Sequence, residues 1–183
     1  MAYKTWYHAV RDARLVYLNR DKFAYLYGGN GERPKDYAEA KALVDKMWQY
    51  YPTHFEGSVI AKGYTKEDLI NHIIGKKCFD CSGFVCAVTQ YNGDIMSMSV
   101  LKDMNSTSLH GVMSNETTPL SGLWGNCLWK PGHVALDVGN GLAIDFGNEF
   151  LDCREYRFVD DPAYGFSASG QLPWVDYTGS VDY

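Results

Sequence analysis

Residues 132–147 read GHVALDVGNGLAIDFG, and this stretch decides how the chain folds. Asn140-Gly141 marks a β-hairpin, because both residue types tolerate the left-handed backbone of a tight turn. Two registers compete. A two-residue Asn140-Gly141 loop sets Val138 opposite Ala143 and Leu136 opposite Asp145, which mixes apolar and polar side chains on both faces. A three-residue loop, Gly139 to Gly141, pairs Val138 with Leu142 instead. It gathers Val134, Leu136, Val138, Leu142, Ile144 and Phe146 on one face, leaving His133, Ala135, Asp137, Ala143 and Asp145 on the other. Register follows the buried face, so the three-residue loop is expected, with Gly141 left-handed. Asp145 then lies diagonal to His133, about 7–8 Å away along the backbone, within reach of an imidazole and a carboxylate. Asp137 shares that face as a competing partner for the ring, but lies nearer the turn.

The second informative stretch is Lys77-Cys78-Phe79-Asp80-Cys81-Ser82-Gly83-Phe84-Val85. Asp80 is a natural N-cap, and Cys81, Phe84, Val85 and Val88 then share one face of a helix that Asn92-Gly93 ends. Cysteine attacks only as thiolate, and a free thiol is mostly protonated at neutral pH. At the first turn of a helix, unpaired N–H groups and the macrodipole favour the anion. Cys81 has that position, and Gly83 leaves room for a substrate carbonyl. His133 supplies a base and Asp145 an orienter, the logic of a nucleophilic triad. Taken singly, each residue also has a plain structural reading: a buried helix cysteine, an exposed strand histidine, a polar-face acid.

The other cysteines and histidines lack such a setting. Cys78 precedes the cap, Cys86 faces elsewhere on the helix, and Cys127 and Cys153 sit in strand-like surroundings. Cys78 and Cys81 form a C-x-x-C, but a redox motif wants a βαβ unit around it. A structural zinc wants a second close ligand pair, which Cys127 and Cys153 are too far apart to be. No metal or cofactor is expected. His8 and His72 are expected on helix surfaces and His54 and His110 in loops, with His110 a candidate for the cleft.

Along the chain, helical spacing is expected over residues 5–20, then over Asp36 to Tyr51, stopped by Pro52. Thr65 with Asp68 caps a further helix whose stripe is Leu69, Ile70, Ile73 and Ile74. Residues 103–126 read as a long loop with a short helix near Ser106 to Met113. Strand-like patterning runs from Leu128 to Phe158, and Gln171 to Tyr177 suggests a closing strand. Helices first and strands afterwards imply an α+β domain. A chain of 183 residues suits one domain, residues 1–183, with a helical insertion over about 30–77.

A net charge of −5 gives no basic patch for nucleic acid or an anionic membrane. The 14 tyrosines and five tryptophans suit a β-rich core better than a dedicated sugar-binding face. No stretch is apolar for the length of a membrane span, so membrane insertion is not expected. The N-terminus has no apolar h-region, so synthesis in the cytoplasm without a secretory signal is expected. Five cysteines, an odd count in such a chain, speak against a disulfide framework.

With these residues in view, the chain resembles the NlpC-type (NlpC/p-sixty) cysteine peptidases, papain-like enzymes that cut bacterial cell-wall peptides. Their Asp-Cys-Ser-Gly-Phe-Val signature stands intact at Asp80 to Val85, and their Pro-Gly-His-Val segment is similar to Pro131 to Asp145. Asp145 falls at the third catalytic position, where many members carry a second histidine and others Asn, Gln or an acid. The family's Tyr-x-x-Gly-Gly element matches Tyr25 to Gly29. The resemblance implies a papain-like fold, with a nucleophile-bearing helix packed on an antiparallel sheet. It places Tyr25 and Ser82 on the oxyanion or substrate side of Cys81. In the family Gly-Gly and the cysteine are close in sequence; here Asn30 to Lys77 intervene, an insertion expected to cap or narrow the cleft.

What the resemblance implies for activity is hydrolysis of an amide bond in a peptidoglycan stem peptide, typically between D-γ-glutamate and a diamino acid. The substrate would be peptidoglycan or a muropeptide, acted on by a monomer. A chain without a leader would reach the wall as a phage lysin or an effector, through a holin or a secretion machine; cytoplasmic recycling of wall fragments is the alternative. N-acetylmuramoyl-L-alanine amidase activity, a wall-binding module without turnover and a cysteine acyltransferase are the rival readings.

Overall fold

Five of the six α-helices among the described residues open on a side-chain cap and the sixth on a proline, so their starts are set by local chemistry before any packing. The computed structural model describes residues 4–118, 123–158 and 165–179. In order, these hold β1 (Lys4–Thr5), α1 (Trp6–Leu18), β2 (Phe23–Tyr25), β3 (Asn30–Glu32), α2 (Tyr37–Tyr50), α3 (Pro52–Ser58) and α4 (Lys66–Ile73). There follow β4 (Lys77–Phe79), α5 (Cys81–Gln90), α6 (Ser106–Val112), β5 (Ser114–Thr117) and β6 (Cys127–Lys130). The chain closes with β7 (His133–Gly139), β8 (Leu142–Phe146), β9 (Cys153–Arg157), β10 (Ala168–Gln171) and β11 (Val175–Asp176). The fold is mixed α+β, with six α-helices and a six-stranded antiparallel sheet among the described residues.

Helix starts follow the expected caps. Asp36 accepts the Glu39 N–H ahead of α2, and Thr65 with Asp68 forms a reciprocal capping box ahead of α4. Pro52 does more than stop α2, which ends at Tyr50. It opens α3 at the first helical position, where a missing N–H costs nothing. His54 therefore lies on α3 and His110 on α6, not in loops.

The large sheet runs β5-β10-β6-β7-β8-β9. Its central hairpin corrects the expected turn while keeping the expected register. Gly139 pairs with Leu142, so the loop is the two residues Asn140 and Gly141, both at positive φ (56° and 73°). A bulge between Asp137 and Gly139 absorbs the one-residue difference, and Asp137 faces Ala143 and Leu136 faces Ile144 as the buried face requires. The segment expected as one closing strand is two: β10 enters the large sheet, and β11 pairs in parallel with β1. The exposed edge strand β5, midway through the expected loop 103–126, had no pattern to announce it; residues 119–122 of that loop lie outside the described residues.

One apolar core lies between α1, α5 and the sheet. Phe84 and Phe146 are fully buried there with ring centroids 5.0 Å apart, and Val134, Leu136, Val138 and Ile144 face the same way. A second core belongs to α2–α4, where Ala40, Val44, Phe55, Leu69 and Ile73 pack on Ala24, Leu26 and Cys78. The other face of β7 and β8 is also covered. Ala135, Ala143 and Leu128 are fully buried with Phe158, so the face expected to be polar is a small third core with acids set into it. No helix among the described residues is long and apolar enough to cross a membrane.

The small sheet β2-β4-β3 delivers the Gly28-Gly29 turn to the start of α5. There Gly83 has a different task from the one its sequence suggests. A Cβ on Gly83 would lie 2.5 Å from the Gly29 carbonyl oxygen, a backbone atom that cannot swing aside. Alanine would gain about 1 kcal/mol of helix propensity, but overpacking of this kind costs up to about 3 kcal/mol. Gly83→Ala is expected to lose on the order of 1–2 kcal/mol net in urea unfolding; a variant as stable as the wild type would show that the turn yields.

Candidate active site

Cys81 opens α5 directly after its cap. The buried Asp80 carboxylate accepts the Gly83 N–H at 2.6 Å and the Ser82 hydroxyl at 2.9 Å through one oxygen, and the Gly28 N–H at 3.1 Å through the other. One acid thus fixes the helix start and docks the Gly28-Gly29 turn against it. Burial pushes the Asp80 carboxyl up, opposed by those three donors. Ser82 is itself buried, with its hydroxyl committed to Asp80.

α5 packs against β7 and brings Cys81 to its first residues. The backbone N–H of Val134 lies near enough to the sulfur to favour its anion, and Gly132 lines the same cleft as Cys81, so the residues on either side of His133 meet the thiol's surroundings. Its imidazole Nε2 lies 2.6 Å from Asp145 Oδ2. Asp145 is fully buried. Burial alone would raise its carboxyl, but the hydrogen bonds from His133 and Arg154 outweigh it and hold the group below the usual carboxylate range. An ionised carboxylate accepts only, so Nε2 carries a proton, and the neutral ring is the tautomer with its lone pair on Nδ1.

Sequence reasoning did not reach the residues that complete this corner. Arg154 donates through Nε to Asp145 Oδ1 (3.0 Å) and through Nη2 to Oδ2 (2.6 Å), and the Tyr156 hydroxyl adds a bond at 3.0 Å. β9 pairs with β8 so that Arg154 is opposite Asp145 and Tyr156 opposite Ala143. The alternation Arg154, Tyr156 was the available signal, but it required knowing that β9 lies beside β8. Phe166 stacks on the His133 ring at 6.2 Å. Asp137, the competing orienter, is spent elsewhere: its Oδ1 accepts the Gly139 N–H at 2.7 Å inside the hairpin bulge.

The thiol's electrostatics depart from expectation. The helix start was expected to favour the thiolate, but Cys81 is only 8% exposed and burial dominates. Burial, followed by the Asp80 charge, pushes the thiol up to about 12 against the pull of the Val134 N–H. No hydrogen bond joins the thiol to the His133 ring among the described residues. The raised thiol, without a bond to the ring, is not part of a standing ion pair.

Tyr25 is also placed differently. It is buried on β2, and its hydroxyl is held well above the usual phenol range by burial and then by the neighbouring Cys81 sulfur. It does not line the cleft; Tyr27, two residues on, does. The cleft measures about 530 Å³. Tyr27, Gly28 and Asn30 form one side; Lys46, Met47 and Tyr50 of α2 with Tyr51 just past its end form a wall. Asp103, Asn105 and Ser106 close the far end, while His110 stacks on Trp129 at 3.8 Å and stays off the lining.

Two further histidines carry structure. His54 stacks on Tyr27 and bonds to the buried Glu149 (3.1 Å), and His72 bonds to Asp152 (2.9 Å). Glu149 and Asp152 accept the Tyr27 and Tyr25 backbone N–H groups. The turn between β8 and β9 is thereby tied to both β2 and the insertion, which holds Phe150 and Asp152 at positive φ (70° and 44°). His72 is thus half-buried and paired, whereas His8 lies exposed on α1 as expected. Cys78, Cys86, Cys127 and Cys153 are all buried free thiols away from the cleft lining.

No family model matches this chain, and comparisons with curated proteins and with solved structures likewise find no match.

Asp137 offers a stability test of the hairpin. Its second oxygen is buried without a partner, and burial pushes the carboxyl up to about 6. A carboxyl raised in the folded state binds more protons folded than unfolded, so its contribution falls as pH rises from about 4 to about 6 and is flat above. Asp137→Asn, which cannot ionise, should gain on the order of 2 kcal/mol relative to the wild type between pH 4 and pH 7 in urea unfolding. A wild-type-to-variant difference that does not move with pH would mean that the acid is solvated.

Proposed function

We propose that this chain is a papain-like cysteine hydrolase of the NlpC type that cleaves an amide bond in the stem peptide of bacterial peptidoglycan, the bond between D-γ-glutamate and a diamino acid being the leading candidate. The observation that carries the reading is the His133–Asp145 bond at the start of β7, the strand on which α5 packs, with Cys81 at the first turn of α5 in a cleft that Gly132 also lines. The intact Asp80 to Val85 motif supports it.

In this reading His133 Nδ1 takes the proton as the Cys81 sulfur forms its bond to the substrate carbonyl carbon. Matching base and nucleophile in this way suits a thiol that is protonated at rest. The backbone N–H of Cys81, at a helix start where no intrahelical acceptor exists, serves the oxyanion. The imidazolium returns the proton to the leaving amine as the C–N bond breaks. Water, deprotonated by the same ring, then releases the acyl group from sulfur. Asp145 holds Nε2 throughout. Tyr25, buried off the cleft, takes no part in these steps, and Ser82 keeps the helix start rigid through Asp80.

One observation favours a second reading, a wall-binding module of the same fold. The thiol is buried and raised by burial, with no bond to the ring. Digestion of purified walls of several chemotypes with mass analysis of the products separates the readings. A new N-terminal diamino acid is the expected product; a new N-terminal L-alanine would instead mean amidase action. Cys81→Ala and His133→Ala should each lose about 10³-fold or more, and Asp145→Asn less, since asparagine still orients the ring. Equal wall binding by the wild type and Cys81→Ala, with neither releasing peptide, would leave only the binding module.

The thiol's titration gives an independent check. Iodoacetamide labelling of Cys81 should keep accelerating above pH 9, because the thiolate is scarce until then. A labelling rate that levels off below pH 8 would mean a standing thiolate–imidazolium pair, and the general-base step above would be wrong.

A further inference from the structure

Asp145 is a full negative charge with no exposure, 2.6 Å from an imidazole whose work requires it to be unprotonated when substrate arrives. Such a charge alone would hold the ring as imidazolium. The groups facing the ring among the described residues are few. Asp145 comes from β8, Arg154 and Tyr156 reach that carboxylate from β9, Lys130 is paired opposite His133 on β6, and Cys81 lies on the α5 side. Only Arg154 engages both carboxylate oxygens.

The fold makes room for it. Gly147, just past β8, has the Arg154 guanidinium against its backbone: a Cβ there would lie 2.6 Å from both Cζ and Nε. Any larger residue at 147 would push the guanidinium off the carboxylate. The glycine leaves space for a two-point arginine contact in which Nη2 shares Asp145 Oδ2 with the histidine and Nε takes Oδ1.

We propose that Arg154 is a positioning residue for His133: by pairing both oxygens of Asp145 it cancels that charge, so the carboxylate orients the ring without holding it protonated. The Arg154–Asp145 unit then presents to Nε2 what a neutral acceptor would. This inference rests on the reading of His133 as a general base.

The test is an NMR titration of the His133 ring, assigned with His133→Gln, in the full chain. It needs no turnover, so it stands apart from the enzyme reading. In Arg154→Met the ring's titration midpoint should move up by roughly 0.5–1 pH unit, because Asp145 is left uncancelled. Arg154→Lys, which keeps the charge, should stay near the wild type, and Gly147→Ala should move in the same direction as Arg154→Met by displacing the guanidinium without deleting it. If walls are cleaved, the acid limb of the kcat/KM profile should follow the ring. A midpoint unmoved or lowered in Arg154→Met overturns the proposal, even if activity is lost, since a purely structural arginine would do that. Should Arg154→Met fail to fold by circular dichroism, Gly147→Ala decides by the same criterion. Midpoints that move as expected in a protein without turnover would count against the hydrolase and leave the Arg154 assignment standing.

Discussion

The register of β7 against β8 is the constraint on which the rest of the site depends. Leu136 facing Ile144 sends Val134, Leu136, Val138, Ile144 and Phe146 into the core beneath α5, and by alternation sends His133 and Asp145 to the opposite face. A slip of one residue would exchange the two sets, burying a carboxylate against Phe84 and exposing five apolar side chains. The bulge at Val138 is how the hairpin satisfies this demand together with the tight Asn140-Gly141 turn. Turn chemistry prefers two residues at positive φ, the core prefers one register, and one extra residue reconciles them. The carboxylate of Asp137, accepting the Gly139 N–H, stabilises that extra residue.

Four buried acids show how differently the same group is accommodated. Asp80 is met by two backbone N–H groups and a hydroxyl, and locks a helix start to a glycine turn. Asp145 is met by an imidazole, a guanidinium and a phenol, and Glu149 by His54 and a backbone N–H. Asp137 has one donor and one unpartnered oxygen, and burial raises its carboxyl to about 6. Burial raises Asp80 as well despite its three neutral donors, whereas the imidazole and guanidinium at Asp145 lower that carboxyl: charged donors offset the desolvation that neutral ones leave.

The α2–α4 segment does more than fill space. Its three helices have their own core, yet Lys46, Met47 and Tyr50 of α2 and the following Tyr51 line the cleft, and α3 and α4 send His54 and His72 to the carboxylates of the β8–β9 turn. That turn sits between Asp145 and Arg154. The α2–α4 segment, the cleft wall and the support of the histidine are therefore parts of one connected set of bonds.

The sequence by itself determined whatever depends on neighbours along the chain. Caps at Asp36, Thr65 and Asp80 place helix starts, alternation places the apolar face of β7 and β8, and the diagonal from His133 to Asp145 follows from that face. It determined the type of fold as α+β and the elements that carry Cys81, His133 and Asp145. Only the tertiary structure decided what lies opposite each side chain. Arg154 and Tyr156 reach Asp145 because β9 is β8's neighbour, and strand order is written in no local pattern. The task of Gly83 changed from admitting a substrate to admitting the Gly29 carbonyl, a contact across more than fifty residues of chain. The state of the Cys81 thiol was decided in the same way. A helix start favours the anion through bonds a sequence reveals, but desolvation comes from every atom packed around the sulfur, and those are brought together only by the fold.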